Sequence, residues 1–150
     1  MAATTTAFIF FNKFKEQVGL GAVNLSTAAH FWAELHHSGA NLSTDTQLST
    51  WASITGTTSG IEGSAARQLA NNTWSALSAA PSSQFTWASD AIVWTASATA
   101  TVKFAVFVMS LGAGTGLPIG FIQLVAADQE VTAGNTVTLT PNTYWFRMSG

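Results

Sequence analysis

The chain has 150 residues, a formal net charge of −2 and no cysteine, and it is 47 % hydrophobic but only 8 % charged, about a third of the ~25 % charged share usual in soluble domains. Its length suits one domain with a core of its own, and the lack of cysteine excludes disulfide scaffolds, thiolate zinc sites and cysteine nucleophiles. Five scattered Lys and Arg exclude a nucleic-acid-binding patch, and six Trp and ten Phe beside so little charge argue against disorder.

In chain order, Met1 to Ala7 reads as an arm leading into the apolar cluster Phe8-Ile9-Phe10-Phe11. No basic residue precedes that cluster, the reverse of a secretory signal. Phe11, Phe14 and Val18 fall near helical spacing, with Gly19 and Gly21 as stops, so a short helix or turn is expected within 12–23. Ala28 to His36 suits a strand, with Phe31, Ala33 and Leu35 on one face and His30, Trp32, Glu34 and His36 on the other. A second short helix is expected from Thr44 to Ser53, followed by a Gly/Thr/Ser loop over 55–64.

Successive strands are predicted beyond that loop: Asn72–Ser78, Gln84–Ala88, Ala91–Thr95, Ala100–Ser110, Ile119–Val125, Thr136–Thr140 and Thr143–Met148. Within Ala100–Ser110 both alternating faces are mostly apolar, the pattern of a central strand buried on each side. No residue between Lys103 and Asp128 is charged, but Gly112, Gly114, Gly116 and Pro118 break that run into two strand-length pieces, which argues against a membrane span. Ala-Gly-Asn within Val131 to Val137 predicts a hairpin turn. The fold class is therefore all-β: an antiparallel β-sandwich or jelly roll in a single domain (12–150), preceded by an N-terminal arm (1–11) and carrying one or two short helices.

Few residues offer chemistry. The three histidines lie together, and a strand places His30, Glu34 and His36 on one face, whereas a helix groups His30, Glu34 and His37. Either set could ligate zinc, yet the spacing matches no defined metalloenzyme motif, and a polar strand face or subunit contact is the simpler reading. The seven acids are scattered, and no nucleophile elbow or phosphate loop is present. No catalytic residue, metal or cofactor is expected. The tryptophans at 32, 51, 74, 87, 94 and 145 suit a core or an interface, with sugar stacking as the competing use.

Phe11-Asn12-Lys13-Phe14 opens the segment NKFKEQVGLGAVNLST, and VKFAVFV, LPIGFIQL and EVTAGNTVTLT follow in order. This order resembles a family of small tailed-bacteriophage structural proteins. Its members often begin Phe-Asn-x-Phe and carry an aromatic-aliphatic strand past mid-chain. They close with a Leu-Ile-Gly-type strand and a V-x-x-G-x-x-V/F hairpin, here Leu117–Leu124 and Val131–Val137. The middle, from Trp51 to Trp87, matches in composition alone. The resemblance implies a virion protein, either a decoration (cement) protein on the head or a tail or fibre component, with no catalytic residues.

Low charge leads the same way, because a surface of Ser, Thr, Asn, Ala and Gly desolvates cheaply against a neighbour. The expected partners are the major capsid protein and further copies of the chain as a dimer or trimer, with neither nucleic acid nor membrane. The expected location is the capsid surface, after synthesis in the host cytoplasm. Phe8, Phe10 and Phe11 in the arm, with Trp32, are the expected contact residues. A carbohydrate-binding sandwich is the alternative from another class.

Overall fold

The computed structural model describes residues 2–4, 7–21, 30–42, 50–77, 84–110 and 116–149. The first half contains β1 (Ala2–Thr4), β2 (Phe8–Phe10), α1 (Asn12–Gly19), β3 (His30–His36), a 3₁₀ turn at Trp51–Ser53, β4 (Ala66–Gln68) and β5 (Thr73–Leu77). The second contains β6 (Gln84–Ala88), β7 (Ile92–Thr95), β8 (Ala100–Val102), β9 (Phe104–Ser110), β10 (Gly116–Gln123), β11 (Gln129–Val131), β12 (Thr136–Thr140) and β13 (Phe146–Ser149). The fold is all-β and sandwich-like, as the sequence pattern requires.

Its centre is an antiparallel sheet in the order β2-β10-β9-β3-β4. β9 lies in the middle, and Ala105 to Met109 are all buried, which is why its sequence is apolar on both faces. The uncharged run after Lys103 supplies the β9–β10 pair, in register from Ser110 opposite Gly116. Among the described residues no helix is long and apolar enough to cross a membrane. A bulge between Pro118 and Gly120 shifts the register of β10. It falls where the missing N–H of Pro118 would otherwise break a ladder. At Gly120 a Cβ would collide with the Ile9 carbonyl and the Phe8 ring, so glycine is what lets β2 approach.

The inner face of this sheet carries Phe31, Ala33, Leu35, Phe107 and Ile122 and meets the sheet β13-β6-β5. The junction is aromatic: Trp87 lies 4.8 Å from Phe31, 5.8 Å from Phe107 and 5.2 Å from Phe146, centroid to centroid. Tilted and edge-on rings of this kind add to what burial alone contributes. Phe8 and Phe10 extend the cluster, at 4.8 and 4.7 Å from Phe146.

A third sheet, β1-β12-β7, alternates cleanly: Ile92, Trp94, Val137 and Leu139 are buried, whereas Val93, Thr136 and Thr140 are exposed. β1 joins it parallel to β12.

Several expectations change in detail. The helix forms at Asn12–Gly19, with Phe14 buried and Gly21 at φ +68° closing it. Of the second helix the structure shows the 3₁₀ turn at Trp51–Ser53, and residues 43–49 lie outside the described residues. The strand expected over Ala100–Ser110 is two strands, because at Lys103 the chain changes partners, from β11 on one side to β3 and β10 on the other. The turn at Thr132–Asn135 exists, with Gly134 at φ +84°, but it does not close a hairpin. β11 pairs with β8 and β12 with β7, so the turn carries the chain between sheets. The arm expected over 1–11 is, in its described part, built into the fold: β1 and β2 are paired strands, and the Phe11 N–H donates to the Ile119 carbonyl at 3.1 Å. Four apolar residues in succession are better satisfied by the chain's own core than by solvent.

Candidate functional site

The outer face of β3 gathers most of the residues that carry chemistry. Strand alternation points Phe31, Ala33 and Leu35 into the core, and His30, Trp32, Glu34 and His36 to the other side. The 3₁₀ turn lies against this outer face, with the Trp51 ring 5.8 Å from that of Trp32. Gly116 makes room for it, since a Cβ there would meet the Trp51 side chain and Val108.

Glu34 and His36 are joined beneath the turn. His36 is fully buried, and its Nε2 lies 3.0 Å from Glu34 Oε2, while the Glu34 side chain is 13 % exposed. Trp51 Nε1 donates to the same oxygen at 2.8 Å. On the other side of the ring His36 Nδ1 lies 2.9 Å from the Thr55 carbonyl. A carbonyl only accepts, so Nδ1 carries a hydrogen, and the Nε2 contact with a carboxyl oxygen needs a second proton between the two atoms. Every polar atom of the imidazole is thereby spent inside the chain.

His30 is not part of this group. It is exposed and pairs with Gln68 Nε2 at 2.8 Å through Nδ1. Glu34 lies four residue steps further along the strand, about 13 Å away at ~3.3 Å per residue. The strand reading therefore places the three side chains on one face without bringing them to one point, and among the described residues no three His, Asp or Glu side chains converge on a metal position.

A second polar cluster joins the end of β3 to the β10–β11 connection. Asp128 accepts from the Ser38 N–H at 2.8 Å and from the Ser38 hydroxyl at 2.5 Å. The Ser38 hydroxyl above all, with lesser help from the Ser38 N–H and the Lys103 ammonium, holds the exposed Asp128 carboxyl below the ordinary aspartate range, although desolvation opposes them. His37 Nδ1 accepts from the Gly39 N–H at 3.0 Å. The serine hydroxyl thus bonds to the carboxylate and not to the imidazole, which gives a staple between loops rather than an activated nucleophile.

The expected contact residues sit differently from one another. Phe11 is fully buried, 5.5 Å from the Phe121 ring. Phe8 and Phe10 are partly buried against the core, and Trp32 is half-buried on the outer face of β3. Of the tryptophans, Trp87, Trp94 and Trp145 are core residues. Trp94 Nε1 donates to the Ala65 carbonyl and Trp145 Nε1 to the Ser89 hydroxyl. The link from Trp51 to Glu34 escaped the sequence reading, because the two residues lie far apart on different elements and no motif connects them. Glu34 and His36, by contrast, share a face by strand periodicity alone. No protein-family model, curated protein or solved structure matches the chain.

Proposed function

We propose that the chain is a structural protein of a tailed-phage virion: a capsid decoration protein, seated outside the head, whose dimers or trimers bridge neighbouring major capsid subunits. One observation supports this most, beside the resemblance of the sequence motifs. The outward face of the β7–β12 pair sets Val93 beside Thr138 and Thr95 beside Thr136, with Thr140 beyond, and holds no charge. Val93 is 49 % exposed on it. Such a face dries against a neighbour at little cost, whereas one bearing Lys and Glu would need a charged partner for each.

Charges that the chain does carry are in several cases engaged locally. Lys13 pairs with Glu16, Arg67 with the carbonyls of Glu62, Ser64 and Ala66, and Asp128 with Ser38. Attachment in this reading is passive, through apolar burial repeated over many copies. Phe8, Phe10 and Phe11 contribute by fixing β2 within the chain, and the contact itself falls to the threonine face. Among the described tryptophan side chains, a sugar-binding reading would rest on Trp32 and Trp51, whose rings are half-buried and tilted by 43°.

Quantitative mass spectrometry of purified particles tests the proposal. A ratio to the major shell protein near one, or a simple fraction of it, is the expected result. A few copies per particle would move the protein to the tail, and its absence from particles would overturn the virion reading. The face is tested by placing charge on it. Val93→Lys with Thr138→Lys should keep the far-ultraviolet circular dichroism of the parent and lower binding to shells by about tenfold or more, the cost of burying unpaired charge.

A further inference from the structure

We propose that the outer face of β3 carries a second binding site, for a neutral oligosaccharide of glucose or N-acetylglucosamine configuration. Trp32 is its stacking floor, Trp51 its wall, and His30, Gln68 and Glu34 its polar rim. The site lies on a different sheet from the threonine face and does not rest on the virion reading. Strand parity directs Trp32 away from the core, and its ring stays half-buried, with Gln68 opposite it on β4 and Val108 on β9. Trp51 stands on the β9–β10 side, where it fills the space that Gly116 leaves beside Val108. Its ring is 5.8 Å from that of Trp32 and inclined to it by 43°, so the pair makes a floor and a wall rather than a flat stack. β4 is the edge of the sheet, and among the described residues no strand closes the trough on that side.

The wall is in place before any ligand arrives. Asn41 fastens the segment that carries Trp51: its Nδ2 donates to the Ser53 carbonyl at 3.0 Å, and its Oδ1 accepts the Thr55 N–H at 2.9 Å. Ile54 is buried in the same segment, and the Trp51 indole N–H is spent on Glu34 Oε2. The floor is part of a paired strand. Aromatic groups already fixed in this way lose little conformational freedom on binding.

The rim offers both donors and acceptors. Gln68 Nε2 donates to His30 Nδ1 at 2.8 Å, so the imidazole hydrogen sits on Nε2 and the Gln68 side-chain oxygen is left to accept; both residues are exposed. At the other end Glu34 directs Oε2 to Trp51 and His36, which leaves Oε1 as a further acceptor. A pyranose with equatorial hydroxyls matches this layout. Its axial C–H groups give it apolar faces that lie on an indole, and each hydroxyl at its margin donates and accepts. A phosphorylated or acidic ligand would need a cation instead, and the one on β4, Arg67, is engaged by the carbonyls of Glu62, Ser64 and Ala66.

The test is a titration of the full chain with cellotriose, maltotriose and tri-N-acetylchitotriose, each to about 10 mM, a level that fills a site of millimolar affinity. Nuclear magnetic resonance reads the Trp32 and Trp51 indole N–H and the Gln68 side-chain amide. The expected result is a saturable shift of the Trp32 and Gln68 signals with at least one of the three sugars. Binding of that sugar should weaken about tenfold or more in Trp32→Ala and about three- to tenfold in Gln68→Ala, which removes one acceptor and releases the His30 ring. Gln68 is an exposed edge residue, so its variant decides the matter should Trp32→Ala fail to fold. Absence of a saturable shift with all three sugars, shifts confined to other parts of the chain, or an unchanged affinity in Gln68→Ala would overturn the proposal.

Discussion

The two faces of the five-stranded sheet are held in opposite ways. On the inner face Trp87, Phe31, Phe107 and Phe146 form a continuous aromatic layer with the facing sheet. No single contact there is indispensable in direction, and the stabilisation scales with the area removed from water. On the outer face the 51–55 segment is held by a few directed contacts: the Trp51 indole N–H on Glu34, the Thr55 carbonyl beside His36 Nδ1, and Asn41 bonded to both the Ser53 carbonyl and the Thr55 N–H. The inner face therefore supplies stability, and the outer face fixes the position of one segment.

That contrast can be broken from either side. Trp87→Ala should have the largest effect, a loss of about 3–5 kcal/mol in urea or guanidinium unfolding, since it empties the centre of the aromatic layer. Trp51→Phe keeps most of the ring and removes one donor from Glu34, so about 1 kcal/mol is expected. Its signature is faster hydrogen exchange at 53–55 with the central strands unchanged. A loss as large as that of Trp87→Ala would mean that the outer face also carries the fold.

The smallest effect is expected at Asp128. Its carboxyl is held below the ordinary aspartate value, so its contribution to stability is fully present above that value, about 3.9, and disappears as the pH falls through the folded value. The advantage of the parent over Asp128→Asn in thermal unfolding should accordingly shrink as the medium is acidified below about pH 4. An advantage that persists under strongly acidic conditions would detach it from the Ser38 contact.

The strands that alternate or run apolar were readable from sequence. Gln84–Ala88 and Thr136–Thr140 appear with their expected bounds, and the doubly buried β9 follows from Val106, Phe107, Val108 and Met109. β4 and β11, at Ala66–Gln68 and Gln129–Val131, carry too few apolar residues to signal a strand and exist because β3 and β8 offer them a ladder. Sheet membership was equally hidden. The turn at Gly134 has hairpin chemistry, yet the Ala96 carbonyl receives the Gly134 N–H and the chain crosses to another sheet. The candidate site was half legible: periodicity put Glu34 and His36 on one face, whereas the arrival of Trp51 and Thr55 depends on tertiary packing.

Pairing of the first strands with late ones also sets an order of events in synthesis. Ile9 waits for Phe121, and Ala3 waits for Leu139. Until β10 has left the ribosome, Phe8, Phe10 and Phe11 have no sheet to join, and the central sheet lacks the strand that joins β9 to β2. Such non-local pairing makes folding slow and leaves an aromatic N-terminus exposed while the rest is translated. The segment that closes the finished sheet is thus the segment on which a chaperone would have its longest hold.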